Sequence, residues 1–140
     1  MNNFEEFVKA YKWAMLWANC YAEDPENPGH AVALAERMDL DPDISDFTSA
    51  AGILMEEECE DFLNYQTNSG TVGDLVQNLH ESGVYSWDRA GHDFALTRNG
   101  HGAGYWDRGL GDAGDILTEA AHTYGESYCW LDDDGVITYN

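Results

Sequence analysis

Two histidines, three arginines and two aspartates fall within residues 89–108: Arg89, His92, Asp93, Arg98, His101, Asp107 and Arg108. Histidine exchanges protons near neutral pH, aspartate can orient it, and arginine holds anions, so acid–base or phosphate chemistry is what such a run could carry. The spacing argues against it. No nucleophile, base and orienter recur at a recognised interval, and there is no phosphate-cradling Gly-x-x-x-x-Gly-Lys, dinucleotide fingerprint or Gly-x-Ser-x-Gly elbow. Half of the chain's six basic residues stand here beside aspartates, as internal ion pairs fixing a hairpin would. As metal ligands, His92, Asp93 and His101 would have to converge across that hairpin without the close spacing of zinc or iron motifs. Asp132-Asp133-Asp134-Gly135 reads as a hairpin turn rather than a calcium loop. No catalytic residue, metal or cofactor is expected, and a small hydrolase built on His92 and His101 is the weaker alternative.

The second concentration of chemistry is charge. The 140 residues hold 27 Asp plus Glu against 6 Lys plus Arg, a formal net charge of -21. Direct binding to nucleic acid or to an anionic membrane is excluded, because both need Lys and Arg to displace counterions. Between residues 36 and 61 the acids Glu36, Asp39, Asp41, Asp43, Asp46, Glu56, Glu57, Glu58, Glu60 and Asp61 face one basic residue, Arg37. Like charges three or four apart weaken a helix by a few tenths of a kcal/mol per pair, so helix stability does not favour the run from Glu56 to Asp61. Rows of carboxylates about 5 to 6 Å apart on a helix face can imitate a phosphate backbone. The expected site is therefore a partner-binding surface of Glu36, Asp39, Asp41, Asp43, Asp46, Glu56, Glu57, Glu60 and Asp61, with Trp13, Trp17 or Phe47 as apolar anchors. The rival reading is a generic acidic binding module, or the acidity of a salt-adapted organism, in which the acids would spread evenly.

The elements that must position these residues divide near Gly83. Before it, apolar residues recur at helical spacing; after it, glycines and aromatics crowd into short alternating runs. Asn3 with Glu6 predicts a helix from Phe4 to about Ala22, apolar around most of its circumference. Pro25, Pro28 and Gly29 end it, and a short helix follows from His30 to Met38. Asp43 is expected to cap a long helix to about Tyr65, striped by Ile44, Phe47, Ala51, Leu54, Met55, Cys59 and Phe62. Glu58 falls inside that stripe, which fits a carboxylate paired with a buried arginine, a bend or, most simply, a shifted helix phase. Thr71 with Asp74 starts a helix through His80 that Gly83 stops.

From Val84 the sequence predicts a hairpin whose turn is Asn99-Gly100, the strongest short hairpin signal. A helix over 111–124 follows, then a hairpin of 127–131 with 136–139. The expectation is a single α+β domain over 1–140, helical in 1–82 and ββαββ with a small antiparallel sheet in 83–140. Cys20, Cys59 and Cys129, odd in number and far apart, fit reduced thiols in a cytoplasm. No stretch reads as a membrane span or signal peptide, which predicts a soluble protein of the host-cell cytoplasm.

The string Gly91-His92-Asp93-Phe94-x-Leu96-Thr97-Arg98-Asn99-Gly100-His101-Gly102-x-Gly104-x-Trp106-Asp107-Arg108-Gly109 resembles a motif of small uncharacterised acidic proteins of bacteriophages and mobile elements. The resemblance covers about the last third of the chain. It implies no activity, but it implies a prokaryotic host and a gene set in which inhibitors of host defence are common. Combined with the charge, it makes the expected function a DNA-mimic-like inhibitor of the anti-CRISPR or anti-restriction kind. The expected partner is a basic nucleic-acid-binding protein, a defence nuclease or a CRISPR effector subunit.

Overall fold

The computed structural model describes residues 1–37 and 39–139 and is an α+β arrangement. Its elements are α1 (Asn3–Ala18), β1 (Cys20–Glu23), β2 (Ala31–Ala33), α2 (Ser49–Leu63), β3 (Gln66–Thr67), β4 (Gly70–Thr71), α3 (Val72–Glu81), α4 (Trp87–Arg98), α5 (Asp112–His122), β5 (Cys129–Leu131) and β6 (Ile137–Tyr139). Three short 3-10 turns, Leu34–Glu36, Ile44–Asp46 and Tyr105–Asp107, join them. One buried cluster draws on the whole chain, from Phe7 to Tyr139. At its centre the rings of Phe62 and Phe94 stack at 3.9 Å, flanked by Phe7, Tyr11, Tyr105 and Tyr124.

The four-stranded sheet has the order β2-β1-β5-β6. β1 pairs antiparallel with β2 and parallel with β5, and β5 pairs antiparallel with β6. The strands from the two ends of the chain are thus adjacent, with Cys20 opposite Cys129 and Tyr21 opposite Trp130. Cys20, Ala22, Cys129, Leu131, Ile137 and Tyr139 point into the core, so Tyr21, Trp130 and Thr138 face outward, as the two-residue strand period requires. All three thiols are free and buried.

Several expected elements change. α1 is capped by Asn2, whose side chain accepts from the Glu5 amide at 2.8 Å, one residue earlier than expected. It stops at Ala18 because the Asn19 carbonyl is taken by the Cys129 amide at 2.9 Å, and the residues expected to finish the helix become β1. The short helix expected over 30–38 is strand β2 followed by a 3-10 turn, and Met38 lies outside the described residues. Asp43 does cap, but it closes only the turn Ile44–Asp46 through a reciprocal box with Asp46. Phe47 then bridges Ile137 at the sheet edge, and the helix restarts at Ser49 under a Thr48 cap. Leu54, expected in the apolar stripe, faces solvent.

The largest change is the first hairpin of the expected ββαββ portion, which is absent. Residues 87–98 form α4, capped by Ser86, with Trp87, Ala90, Gly91, Phe94, Ala95 and Arg98 on its buried face. Asn99-Gly100 ends this helix instead of turning a hairpin. Gly100, at φ 70°, sends its amide to Thr97 O, and the His101 amide reaches back to Leu96 O at 3.0 Å, the two bonds of a Schellman cap. The pair supplies a left-handed residue in either setting, so the dipeptide alone did not distinguish them. α3, with its Thr71/Asp74 capping box and Gly83 stop, α5, and the last hairpin stand where the sequence puts them.

α1 and α4 cross closely because Gly91 has no side chain. A Cβ there would overlap the Phe7 backbone, and both flanking helices are locked into the core. Gly91→Ala is expected to cost about 2 to 3 kcal/mol, since rigid helix backbones must separate. Chemical denaturation checks this, and a loss under about 0.5 kcal/mol, the size of an ordinary surface substitution, would contradict the close approach.

Candidate functional site

The run of His, Arg and Asp that opened the sequence reading folds into two separate clusters. In the first, α4 buries the Asp93 carboxylate completely, and Arg108 grips it with two bonds, Nη2 to Oδ1 at 2.8 Å and Nε to Oδ2 at 3.0 Å. The Tyr85 hydroxyl donates a short hydrogen bond to Asp93, and His92 Nδ1 lies 3.2 Å from Oδ1. Burial alone would raise the Asp93 pKa, but the hydrogen bonds of His92, Arg108 and Tyr85 outweigh it and hold the carboxyl at about 2. Burial and the same carboxylate push the Tyr85 hydroxyl well above its ordinary value. His92, 48% exposed at its side chain, is oriented by a carboxylate, but no serine, threonine or cysteine side chain among the described residues is hydrogen-bonded to it. Ion pairs are present in this segment, but Arg108–Asp93 joins α4 to the following loop, while His92–Asp93 lies within α4 and Arg108–Asp107 within the loop, so none fixes a hairpin.

The second cluster surrounds Arg98, whose side chain is 2% exposed. It meets Glu58 Oε2 at 3.1 Å, the Tyr11 and Tyr139 hydroxyls, and the carbonyls of Tyr124 and Gly125. Glu58 therefore interrupts the apolar stripe of α2 as the partner of a buried arginine, one of the explanations its position allows. His101 belongs to neither cluster; its Nε2 lies 2.6 Å from Oδ1 of the buried Asn19. His92, Asp93 and His101 do not converge, and among the described residues no group of three or more His, Cys, Asp or Glu is placed to hold a metal.

The acidic residues are brought to the surface but not left equally free. Glu36, Asp39, Asp41, Asp43, Glu56, Glu57, Glu60 and Asp61 are exposed and Asp46 is half-buried. Asp39 is held bidentately by Arg37 at 2.8 Å, which lowers its pKa. Asp43 and Asp46 cap each other's turn, Glu56 meets Lys12 at 3.2 Å, and Asp61 accepts from the Tyr124 hydroxyl. On α2 the exposed face reads Ile53, Leu54, Glu57, Glu60 and Asp61, positions three, four or seven apart that share one side of the helix. Ile53 and Leu54 are 55% and 44% exposed, an apolar pair set against the carboxylates that the sequence reading did not pick out. Of the anchors expected at the edge, Trp13 and Phe47 are half-buried, while Trp17 is exposed and stacks on Trp13 at 6.1 Å.

A third feature lies on the outer face of the sheet, where Tyr21, Tyr128 and Trp130 line a cleft of about 520 Å³ with Ala31 and Thr138. The outward phase of Trp130 between inward Cys129 and Leu131 was readable from the final hairpin; its neighbour Tyr21 was hidden inside the helix expected to run to Ala22.

Comparison with protein-family models, with curated proteins and with solved structures gives no match for this chain. No helix among the described residues is long and apolar enough to cross a membrane.

Proposed function

We propose that this protein is a DNA-mimic-like inhibitor that binds, one to one, the basic DNA site of a host nucleic-acid-binding defence complex of the restriction or CRISPR type. The observation that carries this reading is the exposed face of α2, where Glu57, Glu60 and Asp61 stand beside Ile53 and Leu54. A face kept only for solvation has no need of two exposed aliphatic side chains, whereas an interface combines charge for steering with apolar anchors for affinity. Capture would be fast and salt-sensitive, and no catalytic step is required.

The test is reversal of charge where no internal bond is broken. Glu36, Asp41, Glu57 and Glu60 are exposed, and none of them holds another element in place. Changing all four to lysine moves the formal charge from -21 to about -13, which relieves self-repulsion and should preserve or raise stability. Binding to a target captured from bacterial lysate and released by duplex DNA should fall by about a hundredfold or more, while single changes should matter little. Undiminished binding of the fourfold variant, or a captured protein indifferent to DNA and salt, would end the mimic reading.

One observation favours the rival. Exposed carboxylates also occur on α1 (Glu5), α3 (Glu81), α5 (Asp112, Asp115, Glu119) and the final turn (Asp133, Asp134). A general acidic coat of a salt-adapted or merely soluble binding module would look like this. On that reading, molar salt raises the thermal midpoint strongly and the fourfold variant behaves as the parent does.

A further inference from the structure

The outer face of the β2-β1-β5-β6 sheet is a row of side chains in register: Ala33, Tyr21, Trp130 and Thr138 lie opposite one another across the four strands. Tyr128, two residues before Trp130, closes one side, its ring meeting Tyr21 edge to face at 5.8 Å and 64°. Small residues at Ala31 and Thr138 leave the space between these rings open as the cleft. Three aromatic walls on a solvent-facing sheet are unusual, because outward strand positions are normally polar when nothing covers them. Trp130 is 41% exposed.

The charges at its rim share one sign. Glu23 lies two residues beyond Tyr21 on the same face and pairs in register with Ala31, which lines the cleft. Glu126 interacts with the Tyr128 hydroxyl. Arg37, beside Glu23, is committed to Asp39 and to the Glu23 carbonyl. Aromatic faces carry negative potential, so a cleft walled by these rings and rimmed by carboxylates favours a cation over an anion.

We propose that this cleft is a cation-π site that receives an arginine side chain of the protein's basic partner. A guanidinium is planar, weakly hydrated and stacks on tryptophan and tyrosine faces, which distinguishes it from the compact, strongly hydrated ammonium of lysine. The inference takes the source of the cation from the function proposed above, but it concerns a different face from α2. It gives the partner's arginine a fixed aromatic seat in addition to the carboxylates of α2.

The test needs no partner, so its failure is distinguishable from failure of the mimic reading. The 15N-labelled protein is titrated with n-butylguanidinium in physiological salt, beside the neutral isostere n-butylurea and tetramethylammonium, with shifts read at the Trp130 indole and the Tyr21 and Tyr128 amides. Saturable shifts are expected there with the guanidinium, at an affinity about tenfold above that for the urea. Trp130→Leu keeps apolar bulk on an exposed position and should abolish the preference for charge while leaving the melting curve unchanged; Trp130→Ala serves if it does not. Equal binding of urea and guanidinium, shifts confined to α2, or retention of preference in the leucine variant would each overturn the site. Tighter binding of tetramethylammonium would overturn the arginine in favour of a free quaternary ammonium ligand.

Discussion

Replacing Arg98 with methionine should lower stability by about 4 kcal/mol and the thermal midpoint by about 10 to 15 °C, with the native fold still attained in the cold. The guanidinium bonds to five residues in four parts of the chain: Tyr11 of α1, Glu58 of α2, Tyr139 of β6, and the Tyr124 and Gly125 carbonyls after α5, all from its own position at the end of α4. Its flat face lies 5.3 Å from the Phe94 ring centre and 5.9 Å from that of Tyr124. Methionine fills much of the volume but takes the donor from the two carbonyls and from Glu58 Oε2, leaving that carboxylate its hydrogen bond from the Tyr139 hydroxyl and no cation. The penalty for such orphaned groups exceeds what the intact pair contributes. Adding Glu58→Leu should therefore recover about 1 to 2 kcal/mol, because the carboxylate that has lost its counter-charge is removed as well. Urea unfolding of the two variants checks both numbers, and an Arg98→Met loss below about 1 kcal/mol would show that the five bonds are not coupled in the folded chain.

The same arginine shows how far the sequence could be read. Glu58 broke a helical stripe, and that break was visible, but which of six basic residues answered it depended on α4, which stands where the sequence analysis expects a hairpin. Three glycines between 100 and 104 and an Asn-Gly pair pointed to strands and a turn, while the helical spacing of Ala90, Phe94 and Arg98 pointed the other way. The packing of α4 on α1 settled the competition, and such packing has no local signature. α1 was legible at its start and not at its end, since Cys20-Tyr21-Ala22 is short, apolar and compatible with either period until β5 arrives from the far end of the chain. By contrast, α3 and the last hairpin carry their caps and turn within a few residues, and both were found. The acidic surface was legible as composition. Its apolar companions Ile53 and Leu54 were not, because Leu54 seemed to belong to the stripe; the aromatic cleft needed the parallel pairing of β1 with β5, a contact between residues more than a hundred positions apart.

The pH dependence of stability follows from Asp93 and the net charge acting in opposite directions. Lowering pH from 7 toward the pI near 4.1 neutralises exposed carboxylates and relieves the repulsion of a chain at -21, so stability should first rise. Asp93 reverses the trend. Folded, it titrates at about 2; unfolded, it titrates near the ordinary aspartate value of about 3.9. Between these values the unfolded chain binds more protons than the folded one, so the stabilisation present above about pH 4 is lost as pH falls toward 2, amounting to about 2 to 3 kcal/mol. Asp39 and Asp88 are shifted in the same direction, by hydrogen bonds from Arg37 and Ser86, and keep their own acid sensitivity in any Asp93 variant. Asp93→Asn is therefore expected to cost about 3 to 5 kcal/mol at pH 7, where Arg108 loses its counter-charge and one of the two oxygens that accept from Arg108 and Tyr85 becomes an amide NH2. The deficit should narrow by about 2 kcal/mol at pH 2.5, where Asp93 of the unfolded wild-type chain is protonated while the folded carboxylate is still mostly ionised. Denaturant midpoints measured for both proteins between pH 2.5 and 7 test this. A constant difference across that range would mean that the Asp93 carboxylate is not held low by its partners, and that the His92–Asp93–Arg108 cluster is looser than its distances indicate.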